Sequence, residues 1–129
     1  MPKGYTYYRL TEISKNKLLR AFPKQYKKLI AHHITEKFGD VDQSDIPSDA
    51  NVQVIGHADS EDGLEALVVT VNGNLRREDG SIYHITWSLD PAKYKPVDSN
   101  KLIMDGNWYR LYYKILISTE PDIELFNKV

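Results

Sequence analysis

The chain has 129 residues, of which 41% are hydrophobic and 27% charged; its net charge is −1, with four histidines and no cysteine. That is enough apolar material for one domain with one core, and the lack of cysteine excludes disulfides, thiolate metal sites and thiol nucleophiles. The small net charge hides an asymmetry, because residues 1–38 carry nine Lys or Arg against two Glu while the remainder is acidic. Such a basic segment attracts phosphate-bearing ligands or simply forms a solvated helix face. Residues Met1 to Tyr8 contain no apolar run of the signal-peptide kind, and no stretch approaches eighteen apolar residues. The expectation is a cytoplasmic protein with no membrane partner.

In chain order, Tyr5 to Leu10 is aromatic and β-prone and reads as a strand. Ser14 is placed to N-cap a helix running through Phe22, which Pro23 ends. Gln25 to Leu29 reads as a short helical turn, and Ile30 to Phe38 as a strand. Gly39 to Ala50 is Asp-rich and reads as a loop. Asn51 to Ala58 and Leu64 to Val71 are strands, followed by the turn signals Asn72-Gly73 and Asp79-Gly80. Ile82 to Leu89 is a strand, Asp90 to Asn100 a loop with two prolines, and Trp108 to Ser118 a long strand. The tail from Glu120 reads as peripheral. The sum is a single α+β domain over 1–129, with largely antiparallel sheet and one or two helices.

Two of these strands repeat each other. His32-His33-Ile34-Thr35-Glu36-Lys37-Phe38 and Tyr83-His84-Ile85-Thr86-Trp87-Ser88-Leu89 share the pattern x-His-Ile-Thr-x-x-apolar. Alternation puts His33, Thr35 and Lys37 on one face, and His84, Thr86 and Ser88 on one face of the other strand. Ile34, Phe38, Tyr83, Ile85 and Leu89 then face the core. Two imidazoles and two hydroxyls suit phosphodiester cleavage. One imidazole serves as base and one as acid near neutral pH, and the hydroxyls donate to the non-bridging oxygens. The expected catalytic set is His33, Thr35, His84 and Thr86. Lys37 and Ser88 have the parity to join it, and Tyr5, Tyr7 and Trp87 are candidates for stacking on a base. His32 falls on the opposite face from His33 and reads as a packed or hydrogen-bonded residue. His57 reads as a surface histidine. Ser99 and Asn100 either bind phosphate or form a turn.

The paired His-Ile-Thr motifs resemble the signature of the 2H phosphoesterases, and most closely the small Swiss Army knife RNA-repair-like group. There, a His-His-x-Thr stretch near Phe-Gly and a second His-x-Thr strand are similar to His32–Gly39 and His84–Leu89, and Lys95–Asn100 looks similar as well. The resemblance implies a compact bilobal fold with pseudo-twofold symmetry and one motif in each lobe. It also implies activity on 2′,3′-cyclic phosphates, 2′–5′ linkages or cyclic oligonucleotides, without metal or other cofactor. RNA repair and viral evasion of cyclic-nucleotide signalling (anti-CBASS-like) are both settings of such activity. This chain departs from the broad superfamily in its small size, which leaves the substrate open.

Other classes compete. A nucleotide- or RNA-binding module on the same fold would sequester a phosphate ligand without turnover. A basic-arm RNA-binding domain would use the N-terminal charge but leaves the repeated motif unexplained. A zinc hydrolase would need three of the four histidines or several carboxylates, and the spacing shows no His-Glu-x-x-His pattern.

Overall fold

The computed structural model describes residues 3–126. Strand β1 (Lys3–Leu10) is followed by helix α1 (Glu12–Ala21), a two-residue strand β2 (Lys28–Leu29) and β3 (His33–Asp40). Then come β4 (Val52–Asp59), β5 (Leu64–Val71), β6 (His84–Leu89), the short helix α2 (Ser99–Met104), β7 (Trp108–Ile117) and β8 (Thr119–Leu125). The fold is α+β with antiparallel sheet, in the order β7-β4-β5-β6-β3-β1-β8, and β2 pairs with β6. The tail expected to be peripheral is therefore an edge strand, paired with β1 from Gly4–Leu125 to Leu10–Thr119.

Helix α1 starts earlier than Ser14. Thr11 is the N-cap, accepting from the Ser14 amide, and Glu12 and Arg20 complement the helix dipole. Ser14 is buried instead, and its hydroxyl accepts from the Ser118 amide at 2.7 Å. Ser118 is the single residue between β7 and β8, the two edge strands, so the edges of the sheet meet at one end on this hydroxyl cluster.

The expected strand from Ile30 is interrupted. Lys28 and Leu29 pair with Leu89 and Ser88, so the expected helical turn is extended chain along β6. The Ile30 and Ala31 amides donate to the carbonyls of Trp87 and Thr86. Ala31 then turns the chain through a left-handed conformation, φ 43°, and β3 begins two residues later. At the far end of the expected loop, Ser99 and Asn100 instead open α2, with Ser99 and Ile103 buried.

Alternation divides the core between the two faces of the sheet. Val52, Val54, Leu67, Val69, Ile85 and Trp87 pack with Leu18 of α1. Ile55, Ala58, Ala66 and Val68 pack with Ile103 of α2. At the edge, β7 pairs with β4 from Val52–Ile117 to Val54–Ile115 and resumes at Gly56–Arg110, so Leu111 to Lys114 swell outward. Among the described residues no helix is long and apolar enough to cross a membrane.

Two β-bulges set which side chains share a face. On β3, Thr35 opposes Tyr7 and Lys37 opposes Thr6, which leaves Glu36 unopposed. On β6, Thr86 opposes Ala66 and Ser88 opposes Glu65, which leaves Trp87 unopposed. An extra residue reverses the parity of everything after it. Each His-Ile-Thr triplet is thus followed at once by a parity reversal. Phe38, expected in the core, is instead 64% exposed, stacked on Tyr5 and tilted against Phe126. Ile34 and Ile85 are fully buried as expected. Replacing Ile34 by Ala should cost about 2–5 kcal/mol, and Phe38→Ala less than about 1 kcal/mol, both read from urea unfolding midpoints.

Candidate active site

Strands β3 and β6 meet through one pair, Ile34 opposite Ile85. These are the middle residues of the two His-Ile-Thr triplets. An antiparallel pair continues in opposite senses from its centre, so His33 lies toward Thr86 and Thr35 toward His84. With both isoleucines turned into the core, all four polar side chains fall on the other face. They line one cleft of about 700 Å³. The sequence-predicted set of His33, Thr35, His84 and Thr86 is therefore brought together.

The two imidazoles are held differently. Nδ1 of His84 donates to the Ile82 carbonyl at 2.8 Å, which leaves Nε2 as the free ring nitrogen. Burial holds the His84 imidazolium below its ordinary range; the Ile82 carbonyl partly opposes this and the Arg77 charge reinforces it. Nδ1 of His33 lies 3.0 Å from Nδ1 of His32. Burial, followed by the neighbouring His32 and His84 rings, pulls His33 down to about 4. The His33 ring also contacts those of Tyr5 and Tyr7, with centroids 5.2 and 5.3 Å away.

The hydroxyls differ too. Thr86 donates to the Pro96 carbonyl at 3.1 Å, and with its only proton so placed it accepts from Ser99 at 2.9 Å. It ties the 96–99 segment to the cleft floor. The Thr35 hydroxyl has no protein partner among the described residues and stands ready to donate. Ser99 is thus a buried support, while Asn100 lines the cleft.

Of the five expected binding residues, only Tyr5 lines the cleft. Tyr7 lies beneath it, 5% exposed, as a packing partner of His33. Lys37 is turned away by the bulge at Glu36 and pairs with Asp45 at 3.2 Å. Ser88 is turned away by the bulge at Trp87; it is fully buried and donates to Glu65 at 2.6 Å. Trp87 is a core residue with no exposed surface, its indole N–H donating to the Phe22 carbonyl. It offers no face to a base.

Two histidines lie elsewhere than the sequence predicts, although His32 is hydrogen-bonded as expected. His32 precedes β3 and follows the Ala31 turn, so alternation does not govern it, and it lines the cleft beside His33. His57 is buried, 4% exposed, with Nε2 2.8 Å from Glu65 and its ring stacked on Phe22. Glu65 also accepts from Ser88 and Gln25. The core therefore encloses a polar knot that no strand pattern announced.

Arg77, Asp79 and Ser81 line the cleft and were missed. They sit on the β5–β6 connection, which reads in sequence only as turn signals. The Arg77 side chain is 9% exposed and grips Asp79 through Nε and Nη2. That fork holds the Asp79 carboxyl down at about 2, aided by the Ser81 amide. The nearly buried Arg77 guanidinium lies near His84, its charge compensated by the Asp79 carboxylate. Ile30, Phe38, Pro96 and Val97 are the cleft's apolar lining residues. Among the described residues no group of three or more His, Asp or Glu is placed to hold a metal ion. No known protein family model, curated protein or solved structure matches this chain significantly.

The depressed His33 value has a consequence for stability. Between pH 6.5 and 4 the unfolded chain binds the imidazole proton and the folded chain does not. Stability from this site is complete above about pH 6.5 and is lost as pH falls toward 4. Urea unfolding at pH 7 and pH 5 should show a smaller drop for His33→Asn than for the parent chain.

Proposed function

We propose that the chain is a phosphodiesterase of the paired-histidine kind, acting on a nucleotide phosphodiester without a metal ion. The observation that carries this reading is the Ile34–Ile85 pair, which brings two His-x-Thr triplets to one cleft from opposite directions. In-line displacement at phosphorus needs a base on one side and an acid on the other. Two opposed imidazoles provide that arrangement, and Thr35 and Arg77 supply a donor and a charge for the non-bridging oxygens.

The local geometry also supports the bilobal, pseudo-twofold reading. A half-turn about the Ile34–Ile85 midpoint exchanges His33 with His84, Thr35 with Thr86, and the bulge at Glu36 with that at Trp87. On this reading β3-β1-β8 forms one lobe and β6-β5-β4-β7 the other. The cleft combines apolar lining residues with the Arg77 guanidinium, which suits a base and its phosphate. The substrate is then a 2′,3′-cyclic phosphate, a 2′–5′ linkage or a cyclic oligonucleotide. The setting is cytoplasmic, in RNA repair or in viral evasion of cyclic-nucleotide signalling.

A panel of these diesters, incubated with the protein in EDTA and read by chromatography, tests the proposal. Turnover should survive chelation. His33→Ala and His84→Ala should each lose about 10²–10⁴-fold in kcat while remaining folded by circular dichroism. Tight binding of a diester with no product after long incubation would instead assign a binding module. Near-parental rates in either variant would remove the paired-histidine mechanism.

A further inference from the structure

The paired-histidine reading leaves a proton unaccounted for. The acid must carry one when the leaving oxygen departs, yet burial keeps the His33 imidazolium scarce at neutral pH, about one ring in a thousand at a value near 4. His84 is held neutral by burial as well. The structure places a third imidazole where it can make up the deficit.

Nδ1 of His32 and Nδ1 of His33 are 3.0 Å apart, and two bare lone pairs repel at that distance, so one proton lies between them. Nδ1 of His84 faces a carbonyl, which only accepts, so His84 presents a lone pair at Nε2. His32 is exposed, so it can exchange protons with water. It is held against His33 by the left-handed turn at Ala31, a conformation that costs energy in any residue with a Cβ. A strained backbone next to such a contact marks a place where geometry is being enforced. The charged and titratable groups around the pair are Arg9, Glu12, Lys15 and Glu120 beside His32, and Tyr5, Tyr7 and His84 beside His33.

We propose that His32 is a positioning and proton-storing residue: charged His32 donates Nδ1–H to Nδ1 of His33, His33 presents Nε2–H to the leaving oxygen, and His84 is the base. In the step, His84 Nε2 takes the proton of the attacking hydroxyl or water as its oxygen bonds to phosphorus. The bond from phosphorus to the leaving oxygen breaks, and that oxygen takes the Nε2 proton of His33. The Nδ1 proton of His32 passes to Nδ1 of His33. His33 changes tautomer but is never charged, His32 ends neutral, and His84 ends as imidazolium. Water then carries the His84 proton back to Nε2 of His33, whose Nδ1 proton returns to His32.

This rests on the phosphodiesterase reading, and leaving-group chemistry separates the two. A ribose oxygen needs protonation to leave, whereas p-nitrophenolate does not. The test compares a nucleotide diester that has a ribose leaving oxygen with a nucleoside p-nitrophenyl phosphate. His32→Gln and His32→Asn should lower kcat for the first about 10- to 100-fold. KM should be unchanged, and the p-nitrophenyl rate should stay within about twofold. His84→Ala should lower both. A His32→Gln rate unchanged for the ribose leaving group, or lowered equally for both, overturns the relay while leaving the paired-histidine mechanism standing. If the parent chain turns over neither compound, the phosphodiesterase reading fails. Ring ¹⁵N NMR at pH 7 then judges the proton placement alone: His33 Nδ1 bare upholds it, and His33 Nδ1 protonated overturns it.

Discussion

One backbone pairing, Ile34 against Ile85, decides where the chemistry of this molecule sits. It is the only register pair between β3 and β6, so the strands touch and then splay. The burial of both isoleucines fixes which way the flanking residues point. A slip of one residue would turn the histidines inward and the isoleucines into solvent, exchanging two buried aliphatic side chains for two imidazoles. At about 1.5–3 kcal/mol for each aliphatic side chain buried, with desolvation of the imidazoles added, that slip is strongly opposed. The core therefore sets the direction in which the site residues point.

The splay has a second effect. A strand pair that continued in register would bring adjacent backbones about 4.8 Å apart and leave no room between them. β6 turns instead to β2 and to the amides of Ile30 and Ala31, so another segment completes its ladder while the cleft stays open. Thr86 extends the economy by holding the 96–99 segment through Pro96 and Ser99. The wall of the cleft is thus fixed by the same residue that faces its floor.

Much of this was legible in the sequence. The strand pattern, the antiparallel class and the two His-Ile-Thr triplets all follow from period-two reasoning, which holds as far as each threonine. It fails one residue later, at Glu36 and Trp87, because a bulge leaves no mark in composition. That single miss sends Lys37 and Ser88 to the wrong face and Phe38 into the wrong environment. Alternation fails at His32 because it lies between β3 and the left-handed turn at Ala31, unusual for a residue with a Cβ. Arg77 and Asp79 lay in a connection whose turn residues gave its shape but not its direction. His57 and Glu65 became partners through the register of the β4–β5 hairpin, which strand patterns alone do not give.

The swelling of β7 over Leu111 to Lys114 bears on how this protein behaves in a crowded solution. A sheet grows into a fibre by adding strands along a straight, unpaired border. Here one border is bent outward, with Tyr112 almost wholly exposed at its crest and Arg110 and Lys114 beside it. The opposite border, β8, carries Pro121, which has no N–H to offer a newcomer. A chain rich in β-structure can therefore carry a row of surface tyrosines without zipping to its neighbours.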